Sequence, residues 1–359
     1  MKFQGCIFRI RSAPLIISAL AICGCNVIGP QSISGGRGVY AEVINRTADE
    51  EILNVIVRMR YEETFGMMSV ASITANLRFS TQVGTNIGVG SSDNYAGNLV
   101  PISAGVAYEE NPTISYIPLS GEDFMRRMLS PVPLNEWLLV SSSTTHPGDM
   151  FDLAVRSING LRNSLLGHER RSPEFARLIE LYDQLRKAGV MDIVHRPETE
   201  IDKGYFWTIH DYEDAYGESV REFLDLLDIK VKSDGSTINL PYQIGYGSPV
   251  DAIQVELRSI YDVLRVFGAG IDIPSSHLES GIVEPINWLA PEEKRFITIR
   301  SSEKQWWDSR PNDASIAIHY QDRWFYIDAT DIRSKRAFKW LQTFSVYVLQ
   351  TRQRLSERQ

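Results

Sequence analysis

The chain has 359 residues, of which 37 are basic and 45 acidic, and it is 43% hydrophobic and 23% charged. Those fractions belong to an ordinary globular protein and exclude a disordered, collagen-like or polytopic membrane protein. A formal net charge of −8 excludes a general nucleic-acid binder, which needs a basic face to displace counterions from phosphates.

The amino terminus is the most informative stretch. Lys2, Arg9 and Arg11 form a basic start, no acidic residue precedes Glu42, and an apolar run covers residues 14–22. Such a run rises only about 14 Å as a helix, against a hydrocarbon core of about 30 Å. The pattern therefore reads as a secretory leader over residues 1–24, not as a membrane span. Its end, Ile22-Cys23-Gly24-Cys25, resembles the lipobox of bacterial lipoproteins. Ile22 takes the aliphatic position, Gly24 is the small residue before the cut, and Cys25 is the residue to be acylated; Cys23 is an unusual occupant of the place between. The resemblance implies lipidation of Cys25 by a diacylglyceryl and an N-acyl (palmitate-type) chain, and several chains hold a protein stably on a membrane. Asn26, where lipoproteins retained at the inner membrane often carry Asp, implies the outer membrane. Cys6, Cys23 and Cys25 are the three cysteines, so cleavage leaves no thiol for a disulfide, a metal site or a nucleophile. Residues 25–38 are expected to form a flexible Gly/Ser-rich tether.

Beyond it, Val43, Ile44, Ile52, Val55 and Ile56 recur at threes and fours and predict a helix over 39–60. Ile73, Ala75, Leu77, Phe79, Thr81 and Val83 then alternate with Thr74, Asn76, Arg78, Ser80 and Gln82, the pattern of a half-buried strand. A loop at 84–105 leads to a second strand around Ala107 and Pro112–Pro118. Ser120 is expected to cap a short helix ending at Leu129. Further helices are expected at 149–161, at 173–188 between Ser172 and Gly189, at 218–227, and from Ser248-Pro249 to Phe267. Strands at 191–195, 204–210 and 296–300, a turn at Asp234-Gly235, a hairpin pairing 315–320 with 324–328, and a final helix over 335–354 complete the reading. Helices and hairpins in mixed order predict an α+β fold with an amino-terminal helix and a carboxy-terminal helix. A boundary near 168 would divide it into α+β regions 39–168 and 169–359; the alternative is a single domain.

Three segments look familiar together: Glu51 to Tyr61 (EILNVIVRMRY), Pro112 to Phe124 (PTISYIPLSGEDF), and Trp324 to Asp328 (WFYID) with Ser334-Lys335 behind it. In this order behind a lipobox, they resemble a family of uncharacterised proteobacterial envelope lipoproteins. The resemblance implies a protein lipid-anchored to the bacterial outer membrane, facing the periplasm, with an envelope protein as its partner. It brings no reaction and no catalytic residue.

Candidate chemistry is sparse. None of His146, His168, His195, His210, His277 and His319 pairs at the i, i+4 spacing of a helical zinc site, so neither metal nor cofactor is expected. His210-Asp211 beside Glu213 and Asp214 could bind a metal, but the same residues suit a solvated strand-to-helix turn. Asp328 and Asp331 could meet His319 across the last hairpin, with Ser315 or Ser334 supplying a hydroxyl. There is no Gly-x-Ser-x-Gly elbow, and Asp331 or Ser334 serves equally well as a helix cap. Gly84, Gly88 and Gly90 lie between strands and do not open a helix, so they are no phosphate loop. Trp288, Trp306, Trp307 and Trp324 are candidates for an aromatic ligand pocket. The terminal helix, with its stripe of Phe338, Leu341, Val348 and Leu349 and its basic ends, is expected to pack in the core; the alternative is an anionic membrane or an acidic partner. Two functions follow: binding or scaffolding of envelope components, or a tethered hydrolase acting on cell-wall or glycan material through the Asp328–Asp331 or His210–Asp214 carboxylates.

Overall fold

A computed structural model describes residues 28–85, 102–142, 144–163, 172–197, 204–210, 215–231, 237–245, 251–286, 295–302 and 309–345. The fold is α+β, as the mixed order of elements predicts. It divides into two compact units. One gathers the residues up to Glu63 with Leu264–Gln342, and the other is built mainly from Thr64–Asn163 and Arg171–Val263.

The first unit is organised by the helix α1 (Ile28–Arg60). The expected tether at 25–38 is corrected here, because from Ile28 onward the backbone is already helical. Gly35, Gly36 and Gly38 cost about 1 kcal/mol each in helix propensity, which is too little to end a helix held by packing further on. Ile52, Leu53, Val55, Ile56 and Val57 are buried, and α1 lies against a three-stranded antiparallel sheet through its strand β10. That sheet has the order β10 (Ala314–Tyr320), β11 (Arg323–Asp328), β9 (Arg300–Ser301). The β10–β11 pair is the expected hairpin. Its turn residues Gln321 and Asp322 both take positive φ, 48° and 59°, the type I′ geometry that matches strand twist. α8 (Ser275–Glu279) and α9 (Ile332–Ser345) complete the unit. On α9, Phe338, Trp340 and Leu341 are buried, so the apolar stripe packs inward; residues 346–354 of the expected helix lie outside the described residues. Gly270 is obligatory, since a Cβ there would stand 2.1 Å from the Ile297 carbonyl oxygen.

The second unit holds a six-stranded sheet in the order β4-β3-β8-β7-β6-β5. These strands are β3 (Val155–Ile158), β4 (Leu161–Arg162), β5 (Met191–Arg196), β6 (Gly204–Ile209), β7 (Ile238–Ile244) and β8 (Ile253–Leu257). Every neighbouring pair is antiparallel except β7–β8. The helices are α2 (Glu122–Leu129), α3 (Leu134–Ser142), α4 (Pro147–Ala154), α5 (Pro173–Lys187) and α6 (Gly217–Leu226); α7 (Ile260–Ala269) spans the division between the units. α5 begins as expected: the Phe175 N–H donates to Ser172 Oγ at 3.0 Å, with Pro173 in the first turn. Trp137, Phe151, Tyr182 and Trp207 form its buried aromatic centre, with Tyr182 and Phe151 rings 4.7 Å apart.

Two expected helices are corrected in this unit. The one at 149–161 stops at Ala154, and the chain continues as β3, turns through Asn159-Gly160 at φ 44° and 82°, and returns as β4. The one from Ser248 to Phe267 is strand β8 followed by α7, because Ile253, Val255 and Leu257 are buried in alternation with Gln254 and Glu256. At α2 the capping residue is Gly121, not Ser120. The Asp234-Gly235 turn lies outside the described residues. Arg258, 4% exposed, staples the corner between α4 and β3. Its Nη1 donates to the carbonyls of Asp152, Leu153 and Val155, and its Nη2 donates to that of Asn163. Such bonds are what make a buried guanidinium tolerable.

The same unit carries a separate two-stranded antiparallel ribbon, β1 (Met67–Thr85) with β2 (Ile102–Leu119). The strands extend further than the expected loop at 84–105 allowed, to Thr85 and from Ile102.

Candidate functional site

Asp328, Asp331 and Ser334, singled out around the last hairpin, come together in an open groove of about 420 Å³ in the first unit. Arg295, Thr298, Arg300, Asp328, Thr330, Asp331, Arg333 and Ser334 line it. The groove forms because β11 ends at Asp328 and α9 begins at Ile332, so the linking residues must satisfy both a strand end and a helix start. Asp328 Oδ1 accepts from the Thr330 N–H at 2.8 Å and from Thr330 Oγ1 at 2.6 Å, a local Asx turn. Those two bonds, with smaller help from Arg300 and Lys335, hold the Asp328 carboxyl below its ordinary range. Its other oxygen lies 3.8 Å from Arg300 Nε. Asp331 caps α9: Oδ1 accepts from the Ser334 N–H at 3.0 Å and Oδ2 from Ser334 Oγ at 2.5 Å. Ser334 Oγ in turn accepts from the Thr298 N–H at 2.8 Å and is buried. It is a joint between a loop and a helix, not a nucleophile.

His319 does not reach this groove. It stands opposite Trp324 near the far end of the hairpin, its ring edge-on to the indole at 5.4 Å. Four strand positions separate Trp324 from Asp328, about 13 Å. Ser315 is exposed on β10. The imagined Ser-His-Asp arrangement is therefore not assembled. Of the four tryptophans, Trp324 is half-buried, and Trp288, Trp306 and Trp307 lie outside the described residues.

In the second unit His210 follows β6, with Nε2 at 3.2 Å from Asp192 Oδ2, while Asp192 Oδ1 accepts from Arg186 Nη1 at 3.0 Å. Asp211, Glu213 and Asp214 lie outside the described residues. Among the described residues no group of three or more His, Cys, Asp or Glu side chains is placed to hold a metal ion.

The structure also reveals a pair that the sequence did not point to. Tyr61, just past α1, and His277 on α8 are buried and joined by a 2.7 Å hydrogen bond between the phenol oxygen and Nδ1. Tyr320 and Phe325 stand edge-on around Tyr61 at 5.1 and 6.0 Å. Burial, then the charge of Arg323, lowers the pKa of His277; a hydrogen bond with the Gln321 backbone and the charge of Asp322 oppose that. Burial pushes the Tyr61 phenol well up and Tyr320 to about 12. The fold thus holds the imidazole through Tyr61 at Nδ1 and through the Gln321 backbone, which makes this a structural lock. Only the Pro274 helix start hinted at His277, and its partner is 216 residues away.

Comparison of the chain with protein-family models, with curated proteins and with solved structures found no match.

Proposed function

We propose that the protein is a lipid-anchored component of the bacterial outer membrane, facing the periplasm, that binds or scaffolds other envelope components. The observation that carries this is the order of residues at the amino terminus: three cations, a short apolar run, then Gly24-Cys25. The groove supports binding over catalysis. Asp328 is held ionised by its turn, and both Asp331 oxygens accept bonds that start a helix. A glycosidase-like hydrolase needs one carboxyl kept protonated as an acid, so the hydrolase reading has the weaker support. Replacing Cys25 with serine tests the anchor. The expected result is loss of the acyl mass and release from the membrane fraction; unchanged mass and fractionation would overturn the proposal.

A further inference from the structure

We infer that β1 and β2 are the strand pair that each copy of this chain contributes to an oligomeric β-barrel crossing the outer membrane. The inference rests on the membrane-anchored reading above, which brings the ribbon to a lipid bilayer. It starts from the register. After a bulge between Val70 and Ser72, the two strands pair residue for residue to Thr85 and Ile102. One face takes the pairs Ile73–Ile114, Phe79–Tyr108 and Val83–Ala104, and the other takes Thr74–Thr113, Asn76–Asn111 and Gln82–Gly105. By register the first set of positions is mainly apolar, with Thr81 and Thr85 among them and Glu110 nearer the root, and the second set is mainly polar. At its root the apolar face is exposed: Tyr116 is 55% exposed and Ile114 40%.

Charge decides what that face meets. The thirty residues 79–108 contain one charged side chain, Asp93, where the chain average of 23% would place about seven. A charge on the lipid side of a barrel wall is destabilising, and a ribbon with water on both sides has no such reason to shed charge. The stretch also ends as a membrane segment ends. Phe79 and Tyr108 stand opposite each other, and the next pairs toward the root are Arg78–Glu109 and Leu77–Glu110. An aromatic pair followed by charge marks the boundary between hydrocarbon and water. From there to Thr85 and Ile102 each strand has seven paired positions, about 23 Å of strand, which at a barrel tilt of about 40° covers about 18 Å of an apolar band of about 25 Å.

The edges then require partners. Among the described residues β1 and β2 pair with no other strand. Open edges are not tolerated in hydrocarbon, where backbone groups have no water to bond. A single ribbon cannot close, and ribbons from neighbouring copies can. No proline interrupts residues 79–85 or 102–108, whereas Pro112 and Pro118 sit on β2 outside that stretch, where a blunted edge faces water. Two strands per copy give an even strand number, and the smallest barrels, of about eight strands, would take about four copies.

The test uses the full chain with planar bilayers and vesicles of phosphatidylethanolamine and phosphatidylglycerol, read by ion conductance and by crosslinked oligomer size. Wild type is expected to give stepwise conductance and oligomers of four or more copies. Gln82→Lys, on the polar face, should keep conductance and shift ion selectivity toward anions. Val83→Lys, on the apolar face, should lose conductance at least tenfold with an unchanged circular dichroism spectrum. Equal effects of the two variants would overturn the barrel, as would oligomers that form in water and never conduct. A chain that is acylated and membrane-bound but does not conduct would also overturn it, leaving the anchor standing. Conductance retained by Cys25→Ser would support the barrel independently of the anchor.

Discussion

Tyr61 and His277 show how much of the first unit turns on one hydrogen bond. His277 has Arg323 and Asp322 as its charged neighbours and Tyr61 against its ring. The folded protein holds its pKa below the ordinary 6.5, so between 6.5 and that lower value the unfolded chain binds a proton that the native one refuses. Stability is therefore expected to be full above pH 6.5 and to decline as pH falls through the folded value, at no more than about 1.4 kcal/mol per pH unit. The Tyr61 and Tyr320 phenols, both pushed up, stay neutral throughout. Urea midpoints from pH 8 to 5 should fall for wild type and change less for His277→Gln; parallel curves would show that other groups carry the acid sensitivity. No spacing rule relates residues this far apart, which is why the pair was invisible in the sequence. Asp331 and Ser334 were legible because a cap and its helix are neighbours in the chain.

At the scale of elements, the turn between β10 and β11 is the clearest case of local chemistry working against its own geometry. Gln321 and Asp322 hold two positive φ angles without a glycine, where Asn-Gly is preferred. The double substitution Gln321→Asn with Asp322→Gly should raise stability by about 1 kcal/mol, seen as a higher melting temperature. A fall would mean that the contact of Gln321 with Glu63, 3.4 Å long, outweighs the relief of backbone strain. The same turn chemistry explains what the sequence reading missed. Asn159-Gly160 is a strong hairpin signal, and it ends the expected helix at 149–161 in favour of the β3–β4 turn. Likewise Ile253 and Leu257 fit both periods while Val255 fits only the strand, and burial on alternate positions settles for the strand. Where period and flanking signals agreed, as at α5 and the β10–β11 hairpin, reading and structure coincide.

Across the whole molecule, the two units differ in how they are threaded. The second is nearly continuous in sequence from Thr64 to Val263, whereas the first joins a segment before it to one after it. Residues 64–263 expressed alone should therefore unfold cooperatively in urea, while a chain ending at Val263 should leave α1 open to protease. Rapid cleavage throughout the isolated 64–263 segment would show that it depends on the rest. The overall class was readable from the order of elements, but this threading was not, because no composition change marks residues 63 or 263.

One consequence concerns the birth of the protein. The apolar side of α1 emerges early, and the strand it leans on, β10, arrives only after about 250 intervening residues. For that interval Ile52, Leu53, Val55 and Ile56 have no shelter of their own, and sticky segments in that position invite aggregation. A newly made molecule is thus most exposed to self-association until its last stretch of about fifty residues has been delivered.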